Sequence, residues 1–110
     1  MTMLKTLTVL FAAALLEACG DALVRKGLHA SALLRAWFLL AGAVLLFVYG
    51  WTVNTPPWDF GRLLGVYIVF FFVVAQILNW VAFGQAPTLR VMLGGACIVA
   101  GGLIISGSQL

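Results

Sequence analysis

Four long apolar runs fill almost the whole chain and constrain its fold more than any other feature. They cover about residues 3–24, 32–53, 62–83 and 89–106, with short polar segments between them. A helix of about 20 apolar residues spans the hydrocarbon core of a bilayer. A soluble domain needs a polar surface, which a 110-residue chain with 65% hydrophobic residues cannot supply. The sequence therefore predicts an all-α integral membrane protein, a multi-pass bundle of four transmembrane helices that forms one domain over residues 1–110.

The segments between the runs carry residues that end and begin helices. The basic segment that contains Gly27 is interpreted as the first turn. The proline pair 56–57 cannot continue a helix, and Asp59 behind it can cap the next one. Gly84 and Pro87 separate the third run from the fourth. Four tryptophans lie near predicted helix ends, where they anchor at the membrane interface: Trp37, Trp51, Trp58 and Trp80.

The basic residues stand mostly at the ends of the apolar runs, which is typical of topology determinants. The net charge of +3 therefore gives no reason to expect a nucleic-acid partner. The basic residues beside the first and third turns are Arg25, Lys26, Arg35 and Arg90. Only Lys5 and Arg62 lie on the side of the termini. So small an excess favours termini outside only weakly under the positive-inside rule and leaves both orientations open.

The sequence contains no pattern typical of catalysis or of metal binding. It lacks a Ser-His-Asp set, a cluster of metal-ligating residues and a glycine-rich phosphate loop behind a strand. Cys19 and Cys97 lie inside apolar runs and are interpreted as small, buried packing residues, and His29 lies in a basic loop. We therefore expect no enzyme, no metal site and no cofactor.

Two carboxylates stand in the first apolar run. Glu17 lies deep in the run, and Asp21 follows one helical turn later on the same face, with Arg25 one turn beyond. Small residues share this side of the helix: Ala13, Ala14 and Gly20. An ionisable group inside the membrane is expensive and functional by default, so Glu17 is predicted to accept a proton near neutral pH. Asp21 is either an ion-pair partner of Arg25 at the helix end or a second carboxylate of the substrate site.

The third run is the most aromatic part of the chain, and Tyr67 is its candidate site residue. A buried phenol needs a hydrogen-bond partner, and the Glu17 carboxylate would serve. Gln76 and Asn79 lie further along this run and are interpreted as hydrogen-bonding groups between helices.

The fourth run contains the sequence "GGACIVAGG", with two pairs of glycines seven residues apart. Gly94 is paired with Gly101, and Gly95 with Gly102. Helices in lipid associate through close backbone contact at small residues, because hydrophobic attraction between them is weak there. These four glycines are predicted to form a dimer interface, and packing within one protomer is the alternative.

These features together resemble the small multidrug resistance family of the drug/metabolite transporter superfamily. Glu17, Gly20 and the later Arg25 match the family's pattern in its first helix, E-x-x-G followed by a basic residue. Residues 83–85, with the sequence "FGQ", match the segment before its fourth helix. Gly94 and Gly101 fit the spacing of the glycines at the family's dimer contact.

The third helix departs from this pattern. Where the family has a tyrosine, a tryptophan three residues later and a Gly-x-Gly, this chain has Leu64, Tyr67, Val69 and Phe71. Gly61 and Gly65, one turn apart near the start of the helix, are candidates to replace the missing glycines. This departure bears on which substrate is bound. It does not affect the fold or the proton-binding role of Glu17 that the resemblance implies.

The resemblance implies a proton-coupled exporter of a small cationic or polar compound in a bacterial inner membrane. It implies an antiparallel homodimer within membrane lipid, in which protons and substrate compete for a shared pair of glutamates. The superfamily also includes small four-helix proteins that work in pairs. An accessory or heterodimer-partner subunit, in some cases with lipid-linked substrates, is therefore the alternative function.

Overall fold

In the computed structural model, which describes residues 1–107, the chain forms four α-helices. They are α1 (Met3–Leu28), α2 (Ala32–Val53), α3 (Phe60–Phe83) and α4 (Leu89–Gly107). All four are long and apolar enough to cross a membrane. The shortest has 19 residues and is therefore about 28 Å long, close to the thickness of the hydrocarbon core. The predicted all-α bundle of four membrane spans is confirmed.

The first helix continues four residues beyond the end expected from hydropathy and includes Arg25, Lys26 and Gly27. Cations in the last turn interact favourably with the negative end of the helix dipole. Gly27 is buried, and a Cβ placed on it would lie 3.0 Å from the Cβ of Phe38 in α2. The interpretation of Gly27 as a turn residue is wrong, because this glycine permits close contact between two helices.

The third helix begins and ends as its sequence predicts. The Asp59 side chain accepts a hydrogen bond from the backbone N–H of Arg62, at 3.1 Å, and so caps the first turn. Gly84 ends the helix with φ +66°, a left-handed conformation that favours glycine. Its N–H donates to the carbonyl oxygen of Trp80 at 3.1 Å. These caps fix the length of the helix that carries Tyr67.

The helices lie side by side in the order α2, α1, α3, α4, since α1 contacts α2 and α3, and α3 contacts α4. The protomer is consequently flat, with principal extents of 51, 34 and 19 Å. Glycines bring α1 and α2 together, because a Cβ on Gly42 would lie 2.9 Å from the carbonyl oxygen of Gly20. Many large apolar side chains remain exposed, including Trp37, Trp51 and Trp80 near helix ends, as expected of surfaces that face lipid.

The two glycine pairs of α4 face different surroundings. Gly95 and Gly102 are buried against α3, where added Cβ atoms would overlap Phe72 and Val69 respectively. Within residues 1–107, no atom of another helix lies within 4 Å of a Cβ placed on Gly94 or Gly101.

The prediction that all four glycines form a dimer contact is therefore wrong for Gly95 and Gly102, which pack within the protomer. Consecutive helical residues point about 100° apart, and in this structure only one of the two pairs faces α3. For Gly94 and Gly101 the dimer contact stays a prediction.

Candidate functional site

A hydrogen bond between α1 and α3 joins the two residues that the sequence singled out. The Tyr67 hydroxyl donates to Oε1 of Glu17 at 2.6 Å and lies 3.5 Å from the carbonyl oxygen of Ala13. Tyr67 is only 4% exposed, and Glu17 is half-buried near the middle of its helix. The predicted contact between the phenol and the carboxylate is present. A short hydrogen bond to a carboxyl group holds it in one orientation, so the Glu17 side chain has a fixed position inside the span.

Two further aromatic rings surround the Tyr67 side chain. The ring of Tyr49, from α2, lies 5.6 Å from that of Tyr67, and the ring of Phe71, from α3, lies 6.2 Å from it. Sequence reasoning missed Tyr49. The signal that could have found it is the argument already applied to Tyr67, that a phenol inside an apolar run requires a polar neighbour. The site thus combines one carboxylate with rings from two other helices.

The small residues near Glu17 have two different roles. Ala13 and Ala14 are fully buried, and the Ala13 backbone lies beside the Tyr67 hydroxyl. Gly20 faces α2, where an added Cβ would lie 2.9 Å from Cγ of Leu46. The structure therefore places Ala13 next to the Glu17–Tyr67 pair and Gly20 at the contact between α1 and α2.

Asp21 and Arg25 do not pair with each other. Within residues 1–107, the one ion pair joins Asp59 to Arg62, at 3.7 Å. The Arg25 guanidinium lies instead over the ring of Phe83, with Cζ 5.6 Å from its centroid. Asp21 and Arg25 both line a cavity between α1 and α3. Both charges are therefore open to a partner outside the protomer.

Metal ligands are not grouped in the described part of the chain. Among residues 1–107, no three His, Cys, Asp or Glu side chains lie close enough to hold a metal ion. Cys19 and Cys97 are free and exposed on α1 and α4, so their interpretation as buried packing residues is wrong. The polar chemistry of this part of the bundle is that of carboxylates, phenols, amides and cations.

Comparisons with known proteins agree with a membrane location. The chain matches the family described as "Uncharacterised BCR, YnfA/UPF0060 family" over residues 3–109. A UPF0060 membrane protein of Herpetosiphon aurantiacus is 29% identical over 96% of this chain and 96% of its own length. One from Nitrosospira multiformis is 32% identical over 93% of this chain and 91% of its own length. One from Methylibium petroleiphilum is 35% identical over 64% of this chain and 63% of its own length. No solved structure matches the chain. These relatives and the four apolar helices confirm an integral, multi-pass membrane protein.

Proposed function

Because the chain belongs to the YnfA/UPF0060 family of membrane proteins, we propose that it is a proton-coupled transporter that exports a small cationic or polar compound. Glu17 is the shared site, which binds a proton and the substrate in turn. The observation that carries this proposal is the 2.6 Å hydrogen bond between Tyr67 and a half-buried carboxylate inside a membrane span. Ionisable groups at such depth are expensive and mark proton and substrate pathways.

The chemistry of exchange follows from the single charge of Glu17. An ionised carboxylate attracts a cation, whereas a protonated one is neutral and does not. A proton that reaches the site therefore expels the bound cation, and loss of the proton restores the affinity. Tyr67 is a positioning residue, because its hydroxyl keeps the carboxylate in one orientation through this cycle. Export then requires that each form of Glu17 opens to one side of the membrane.

The resemblance to the small multidrug resistance family extends the proposal to an antiparallel homodimer. Two observations support it. The protomer is only 19 Å thick in its shortest dimension, so a second copy can enclose the site on its open side. Gly94 and Gly101 face away from the protomer on α4, where their small size permits close approach of a second helix. Cationic and polar compounds would then meet two Glu17 residues in one shared pocket.

Transport measurements in proteoliposomes test this function directly. The purified chain is reconstituted alone, and proton flux is followed with an internal pH dye while quaternary ammonium and guanidinium ions are added outside. We expect cation-dependent proton flux in the wild type, its loss in Glu17→Gln and its partial retention in Glu17→Asp. A cation-dependent proton flux in Glu17→Gln that equals the wild-type flux in size and in pH dependence would contradict the proposal. If the chain is inactive alone but active with a second small membrane protein, it is a heterodimer subunit.

A further inference from the structure

A cavity of about 340 Å³ lies between α1 and α3, separate from the Glu17–Tyr67 pair. These two helices run in the same direction, since α2 returns the chain between them. The lining residues furthest from the helix ends are Ala18 and Phe71, and those nearest the ends are Arg25 and Phe83. Phe71 also stacks near Tyr67, with ring centroids 6.2 Å apart. The cavity therefore extends from the side of the first and third turns toward the candidate proton site.

Two opposite charges line this cavity at different depths. Asp21 lies one helical turn deeper than Arg25, and both side chains are exposed. Within the described residues neither forms an ion pair. A ligand with only a positive charge would be attracted by Asp21 and repelled by Arg25. A ligand with only a negative charge would be attracted by Arg25 and repelled by Asp21. A ligand that carries both charges satisfies both residues.

The wall formed by α3 adds polar and aromatic groups. Gln76 and Asn79 line the cavity within one helical turn of each other. The Asn79 amide donates to the carbonyl oxygen of Gln85 at 3.3 Å, whereas the Gln76 side chain has no hydrogen bond within residues 1–107. The rings of Phe71 and Phe83 offer faces that attract a cation. The cavity is at the small end of the range for ligand sites, which begins near 300 Å³.

We propose that this cavity binds a small zwitterion, with its cationic group toward Asp21 and Phe71 and its anionic group toward Arg25. The orientation follows from the depths of the two charges, because the anion then stays near the membrane surface. The cavity is a second site beside the Glu17–Tyr67 pair, so this inference goes beyond the proposed transport function. As a binding site, it stands on the cavity and its charges alone.

Equilibrium binding with three probes tests the charge requirement. The full chain is placed in nanodiscs of phosphatidylglycerol, and binding is measured for glycine betaine, tetramethylammonium and acetate. We expect betaine to bind about tenfold more tightly than either singly charged probe, because it gains one further charged contact. Absence of saturable betaine binding, or equal affinity for betaine and tetramethylammonium, would overturn the proposal.

Two neighbouring cations provide a matched pair of variants. Arg25 and Lys26 both lie 5.6 Å from the centre of the Phe83 ring, but only Arg25 lines the cavity. Arg25→Gln should weaken betaine binding about tenfold without weakening tetramethylammonium binding. Arg25→Lys keeps the positive charge and should retain most of the betaine affinity. Lys26→Gln should leave both affinities at their wild-type values. Equal losses in Arg25→Gln and Lys26→Gln would show a general effect of surface charge and would refute the site.

The same assay separates this site from the proposed transport mechanism. Glu17→Gln should still bind betaine, although it is expected to lose proton-coupled flux. Arg25-dependent betaine binding without any proton flux in the wild type would refute the transport function and leave the binding site standing. Proton flux driven by simple cations, without any betaine binding, would refute the zwitterion site and support the transport function.

A zwitterion can reach the cavity from water or as the headgroup of a lipid. Addition of phosphatidylethanolamine to the nanodiscs distinguishes these sources. A fall in apparent betaine affinity that disappears in Arg25→Gln identifies the lipid headgroup as a competing occupant. An unchanged affinity identifies a dissolved solute. Both results support the proposed chemistry, whereas a fall that persists in Arg25→Gln would contradict it.

Discussion

The two sides of α3 that contact other helices are built from different chemistry. Toward α1, Tyr67 donates a hydrogen bond to Glu17, and a charged cavity lies beyond it. Toward α4, Phe72 packs on the backbone of Gly95. Helices in lipid gain little from burying apolar groups, so the apolar contact requires close backbone approach. Polar groups in lipid must find partners, so the other contact joins hydroxyl to carboxylate. One helix thus holds the protomer together on one side and presents reactive groups on the other.

The largest expected effect comes from disrupting the apolar contact between α3 and α4. Gly102→Leu should destabilise the protomer by about 3 kcal/mol, because the new side chain overlaps Val69 where the helices are in contact. Thermal unfolding in detergent, followed by circular dichroism, measures the change. Gly101→Leu is the matched control, because no other described helix lies within 4 Å of a Cβ there. Equal destabilisation by both variants would contradict the assignment of the two glycine faces.

The next largest effect comes from removing the polar contact between α3 and α1. Tyr67→Phe removes the hydroxyl that donates to Glu17 and leaves the ring in place. Loss of a hydrogen bond to a charged group costs about 1.5–3 kcal/mol, so cation affinity should fall at least about tenfold in equilibrium binding at high pH. The pH profile of binding should change as well, because the proposed mechanism has the proton and the cation bind Glu17 in turn. An unchanged profile with reduced thermal stability would make Tyr67 purely structural.

A smaller effect tests the outward face of α4. Gly101→Leu should weaken self-association several-fold while the unfolding temperature of the protomer stays unchanged, since its surroundings are open within the protomer. Single-molecule photobleaching of labelled chains in liposomes measures the dimer fraction over a range of dilutions. A dimer fraction equal to wild type at every dilution would place the interface elsewhere.

The smallest effect concerns a buried hydroxyl on α1, the helix that carries Glu17. The Thr6 side chain is fully buried in α1, and its Oγ1 has no hydrogen-bond partner within residues 1–107. Thr6→Val keeps the shape and removes the unpaired hydroxyl, so stability should stay the same or rise by up to about 1 kcal/mol. Thr8→Val provides a contrast, because the Thr8 hydroxyl is exposed and donates to the carbonyl oxygen of Leu4 at 2.9 Å. A marked loss of stability in Thr6→Val alone would mean that its hydroxyl has a structural partner.

Several features of the candidate site could be predicted from the sequence, because each depends on how one residue type behaves inside a lipid bilayer. Glu17 stood out because a charge in an apolar run is costly. Tyr67 followed because a buried phenol requires a partner, and the hydrogen bond between them is present. The contact between the Tyr49 and Tyr67 rings and the convergence of Asp21 with Gln76 on one cavity could not be predicted, because they depend on the rotation and spacing of neighbouring helices.

The sequence by itself determined the number of spans, the two caps of α3 and the presence of a carboxylate within the membrane. Hydropathy, proline and capping residues act over a few positions and need no tertiary partner. The tertiary structure alone decided that Gly102 faces α3 while Gly101 faces outward. Both belong to pairs with the same seven-residue spacing, so the sequence pattern is identical for either face. Only the rotation of α4 against α3 distinguishes them, because it is set by the fit of Phe72 and Val69 onto the buried glycines.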